Sequence, residues 1–155
     1  MSVPEGYALA PTSSDHLVKI AVPIPGRDPI LIEAPKLAWM LPSDVEQYEK
    51  FAQEHVEAAN KIDAWHRDND DLPEADRSPY PQEADDLTGA SDSERSHQVM
   101  RELRLRWIKP HVKPADYKIL LTSKKVPERT LQWIIDELSK PDTITAGESV
   151  ASTDS

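Results

Sequence analysis

Apolar positions Leu131, Ile134, Ile135 and Leu138 recur at i, i+3, i+4 and i+7, the spacing that lays one stripe along a helix. Pro127 stands where the first turn of that helix tolerates proline. Upstream, Val99, Met100, Leu103, Trp107 and Ile108 form the inner face of a helix that a Ser91–Glu94 capping box opens and Pro110 stops. Between the two, Pro114 starts a short helix with Tyr117, Leu120 and Leu121 inside. Residues 91–140 therefore read as a three-helix unit. A second capping box, Ser43 with Glu46, opens a longer helix. Its stripe is Val45, Tyr48, Phe51, Ala52, Val56, Ala59, Ile62 and Trp65. Leu37, Trp39, Met40 and Leu41 precede it as an apolar knot that should dock on the core.

The N-terminal third has a different pattern. Runs 16–22 and 29–33 are rich in β-branched residues, and a proline-rich connector of hairpin length joins them. Prolines at 23, 25 and 29 keep these strands out of a sheet centre, so an edge hairpin is expected. A lone hairpin is marginal in water, so it must lie on helices or pair with another copy. The fold class expected is mainly α with a small N-terminal β-hairpin, an α+β helical bundle. Residues 15–67 hold the hairpin and the long helix, and they should share one core with 91–140. The segment 68–90 is acidic, rich in proline and almost without large aliphatics, so it reads as a solvated, disordered linker. Residues 1–14 read as a flexible N-terminus and 141–155 as a disordered tail.

Composition narrows the function classes. The chain has 155 residues, 38% of them hydrophobic, with 14 prolines and a net charge of −10. That charge argues against nucleic acid or an anionic membrane as the main partner. Cysteine is absent, which excludes disulfides and thiol chemistry. No apolar run approaches a membrane span, and no basic region leads into an apolar run at the start, so we expect neither membrane insertion nor a signal peptide.

No nucleophile elbow, phosphate loop or metalloprotease motif occurs, and no catalytic residue, cofactor or metal is expected. His66 with Asp68, Asp70 and Asp71 is the one metal-like grouping, and a fraying helix end accounts for it more simply. Basic residues concentrate in the C-terminal unit, among them Arg101, Arg104, Arg106, Lys124, Lys125 and Arg129. A helix-turn-helix nucleic-acid binder is thus the alternative reading, although proline-rich joints replace the tight turn. Each tryptophan lies in or beside an apolar pattern, where core packing is the default. Trp133 sits off its stripe by about a third of a turn, given roughly 100° per residue. That places it at the core's edge or out on the surface as a protein contact.

The run from Leu103 through Trp107, Pro110, Asp116 and Tyr117 to Leu121, followed by Ser123, Lys124, Lys125, Val126 and the helix to Leu138, resembles the tail assembly chaperones of long-tailed actinobacteriophages. Gly147, Glu148 and Ser149 resemble the end of that family's short form, and the likeness spans mainly residues 99–149. The acidic segment 68–90 departs from the family's compact pattern. The resemblance implies a non-enzymatic protein of the host cytoplasm, absent from the mature virion. It implies binding to the tape-measure protein until tail-tube subunits replace the chaperone, and a longer form made by ribosomal frameshifting. The expected partners are therefore the tape-measure protein, the tail tube protein and the longer form, with self-association through the hairpin edge. An amphipathic helix laid in a groove between the last helix and the one carrying Trp107 is the expected contact. Trp107, Lys124, Lys125, Arg129 and Trp133 are its candidate residues. A structural tail component or adaptor is the remaining alternative.

Overall fold

A computed structural model describes residues 3–141 of the chain. It is mainly helical with one antiparallel two-stranded hairpin, as the patterns predict. Strand β1 (Leu17–Ile24) pairs with β2 (Arg27–Pro35), both longer than the β-branched runs alone. Ile24 and Arg27 bracket a tight Pro25–Gly26 turn. Proline presets φ and Gly26 takes φ +84°, the pairing a type II turn uses. Pro23, which has no amide to donate, sits where the register breaks between Val22 and Ile24.

Alternation along both strands sends Ile20, Val22, Ile24, Ile30, Ile32 and Ala34 inward. They pack on the C-terminal helices α3 (Ser93–Leu105), α4 (Pro114–Thr122) and α5 (Glu128–Ser139). Those helices contribute Leu105, Tyr117, Leu120, Leu131, Ile134 and Leu138, with Ile108, Val112 and Val126 from the connections. Each fully buried aliphatic in this cluster contributes about 1.5–3 kcal/mol over leaving it in water. The hairpin is stable because it is one wall of this core.

Helix α1 (Pro42–Asn69) runs along the outside of that core. Near its start, Tyr48 stacks on Trp107 with centroids 3.7 Å apart, and the Arg106 guanidinium lies 4.3 Å over the Phe51 ring. Farther along, Ala58 and Ile62 form a second small cluster with Ala84, against which Leu87 packs.

Several expectations are corrected. The segment 68–90 is folded: α1 runs to Asn69, a 3-10 turn covers Glu74–Asp76, and α2 (Gln82–Thr88) packs on α1. Polar groups replace the missing aliphatics. Buried Asn69 accepts from the Ser78 amide (2.8 Å) and hydroxyl (3.1 Å) and donates to the Trp65 carbonyl (2.8 Å). Trp65 Nε1 donates to the Ser78 carbonyl and its ring meets Tyr80 edge-on at 5.0 Å. Buried Asp85 accepts from the hydroxyls of Tyr80 (2.7 Å) and Ser91 (2.5 Å).

The caps also differ. Helix α1 starts on Pro42 with no side-chain cap, so Ser43 and Glu46 form no capping box. Asp92, not Ser91, caps α3, accepting from the amides of Glu94 and Arg95. Helix α3 ends at Leu105, and a 3-10 stretch Arg106–His111 carries Pro110 inside it. Met100, expected inside, is 54% exposed, and Leu105 takes its place in the core. On α1 the inner face turns toward His55 and Ala58, leaving Val56 and Ala59 outside. Trp39 docks by stacking on His16 at 3.8 Å, while Leu41 is exposed. The expected disorder of 142–155, and the Gly147–Ser149 likeness, lie outside the described residues.

Candidate interaction surface

Helix α5 buries Leu131, Ile134 and Leu138 against the hairpin, and that rotation leaves Trp133 on its flank, 51% exposed. Beside it, β1 presents Ala21 and Pro23. The two elements enclose an open cleft of about 380 Å³ lined by Ala21, Val22, Pro23, Arg129, Thr130, Trp133 and Ile134. Its floor is apolar and Arg129 is its one cation. Around β1 the surface continues onto the hairpin's outer face. There Leu31 is 73% exposed, opposite Ala21 in the register, and Lys19 is opposite Glu33. A second cleft of about 420 Å³ opens here, lined by residues of both strands with His111 and Lys113.

The five candidate contact residues do not converge. Arg129 and Trp133 share the α5–β1 cleft. Trp107 is half-buried under Tyr48 of α1. Lys124 lines a different cleft, about 330 Å³, with His97, Arg101 and Ser123 among others. Lys125 is exposed, and its amide donates to the Ser123 hydroxyl. The groove expected between α5 and the segment of Trp107 is crossed at the start of α5 by Arg101. Its side chain is only 12% exposed. It donates to the carbonyls of Leu120 (3.3 Å), Ser123 (2.7 Å) and Val126 (3.0 Å) and to Glu128 (2.6 Å). Leu120 lies in the last turn of α4 and Ser123 is the residue that caps it, so both carbonyls lack an amide partner from that helix.

The same accounting thins the basic face. Arg104 joins Arg101 on Glu128, Arg106 pairs with Glu102 at 3.0 Å, and Arg27 pairs with Asp116. Arg95, Lys109, Lys113, Lys118, Lys124, Lys125 and Arg129 remain outward. Sequence reasoning missed the hairpin's outer face. The available signal was Leu31, a large aliphatic at an outward position of an alternating strand.

The perturbed ionisable groups serve the fold. Hydroxyl donation from Ser91 and Tyr80 holds the Asp85 carboxyl below the usual range, and the Tyr80 phenol is raised by the same bond. Burial, then the Glu102 charge, pushes the Tyr117 phenol well up. His66 Nδ1 lies 2.9 Å from Asp70, and among the described residues no three histidines or carboxylates gather as metal ligands. Among them also, no helix is long and apolar enough to cross a membrane.

No family model, curated protein or solved structure matches the chain.

Proposed function

We propose that this protein is a phage tail assembly chaperone, the short form of its kind. It binds the tape-measure protein in the host cytoplasm and keeps it soluble until tail-tube subunits take its place. It makes and breaks no covalent bond and leaves the particle before maturation. The observation that carries this reading is the half-exposed Trp133 in the α5–β1 cleft. An apolar floor with a tryptophan wall and a cation at its rim suits one face of an amphipathic helix with acidic flanks.

A tryptophan side chain offers roughly 250 Å², so covering its exposed half adds about 3 kcal/mol at most. Such a contact is weak for a single copy. Many copies along one long helical partner bind by avidity, and each stays displaceable. The likeness over residues 99–149 points the same way. Engagement of Arg101, Arg104 and Arg106 in ion pairs works against the nucleic-acid alternative.

Co-expression with the cognate tape-measure protein tests the reading. The wild-type chain should keep that protein in the soluble fraction and co-purify with it. Trp133→Ala should cut recovery at least tenfold, and Lys125→Ala, outside the cleft, should change it little. Equal recovery with Trp133→Ala would refute the assignment of the cleft.

A further inference from the structure

The hairpin's outer face has no cover in the described structure, and its register makes it complementary to itself. Across the strands, Lys19 is opposite Glu33 and Ala21 is opposite Leu31. All four point outward, with Leu31 73% exposed. We propose that two copies of this chain pack these faces together about a two-fold axis running along the strands between β1 and β2.

That operation exchanges the strands. It sets Lys19 of each copy over Glu33 of the other, and Leu31 of each over the small Ala21 of the other. Charge is then complementary at the Lys19–Glu33 contact and volume at the Ala21–Leu31 contact, and the two-fold axis repeats each of them once, as an isologous interface requires. The alignment is the one sheets adopt when packed face to face, within about 30° of parallel. A face turned by a right angle would lose both pairings. This inference does not depend on the tape-measure reading, because it concerns the chain alone. Ala21 also lines the Trp133 cleft, so the dimer covers one wall of that cleft and competes with a partner seated in it.

The size of the face fixes the strength. Eight residues at about 3.3 Å each make strands of roughly 26 Å, and two strands are roughly 10 Å wide. Some 300 Å² per copy is well below the roughly 800 Å² of a stable interface. The dimer is therefore transient, with a dissociation constant of about 10 μM or weaker.

Sedimentation velocity of the full chain from about 5 to 500 μM, with circular dichroism to confirm folding, tests this. Wild type should shift from monomer toward dimer across the range. Leu31→Lys should stay monomeric throughout. Lys19→Glu alone and Glu33→Lys alone should each weaken association at least tenfold, since each places like charges together twice. Mixing those two single variants should restore it, as both contacts are then opposite in sign. Restoration by mixing separates the intermolecular pairing from any effect within one hairpin. A wild type that remains monomeric to 500 μM would overturn the proposal, as would a dimer that survives Leu31→Lys or a mixture that fails to associate.

Discussion

Replacing Arg101 by methionine keeps the aliphatic stem and removes the fork that ties α3 to the α4–α5 connection. The guanidinium satisfies three carbonyls and one carboxylate from a position only 12% exposed. The ion pair itself contributes little, because Glu128 is 54% exposed and solvent screens it. The carbonyls carry the cost. Hydrogen bonds from a charged donor are worth about 1.5–3 kcal/mol each, and the 3.3 Å contact to Leu120 is the weakest of the three. Water can replace part of this at the half-buried Ser123 side. A net loss of roughly 3 kcal/mol remains, which in a chain of this length lowers Tm by about 6–12 °C. Urea unfolding followed by circular dichroism reads the same quantity as a lower midpoint at unchanged slope. Arg101→Lys should recover less than half, since one ammonium cannot span the three carbonyls. A fall in Tm of less than about 3 °C for Arg101→Met would show that Arg101 does not hold the connection. The residue would then be available to a ligand, and the case against nucleic-acid binding would weaken.

Other expected outcomes follow from the same structure. At Gly89, φ is +71° and an added Cβ would lie 2.5 Å from the Ser96 backbone nitrogen, so Gly89→Ala should destabilise by at least about 2 kcal/mol in a urea titration. Asp85 has a folded pKa below its usual 3.8, so its contribution is present above that pH and is lost as pH falls through the folded value. Acid unfolding below pH 4 should therefore begin at higher pH in Tyr80→Phe, read by circular dichroism. Tyr117 titrates above its usual 10.0 in the fold, so its contribution is complete below pH 10 and declines as pH rises beyond it. Tyr117→Phe should flatten the alkaline limb of a Tm–pH profile. Trp133→Ala should leave Tm within about 2 °C of wild type, because the side chain is a flank of the core and not part of it.

Much of the architecture was legible because amphipathic periods are written residue by residue. The α5 stripe and the alternation of the hairpin depend on neighbours a few positions apart, and both stand as read. What failed was chemistry that only tertiary proximity supplies. Segment 68–90 is poor in large aliphatics, yet Asn69, Trp65, Tyr80 and Asp85 give it a polar and aromatic anchor that composition conceals. Met100 and Leu105 are both credible core residues by type, but five positions apart on one α-helix they face roughly 140° apart, and the helix turns Leu105 inward. Within the candidate surface, the offset of Trp133 from the stripe left the core's edge and the surface both open, and the fold has it 51% exposed on the flank. The hairpin wall beside it was not legible, since nothing local says which helix a strand will lie against.

The most direct test of the central claim is a displacement measurement. Tape-measure protein is immobilised with this chain bound, and tail-tube subunits are then added. Rapid release of this chain in step with tube-subunit binding is expected, with little initial capture by Trp133→Ala. Retention of this chain beneath assembled tube, or capture that does not depend on Trp133, would contradict the proposed function.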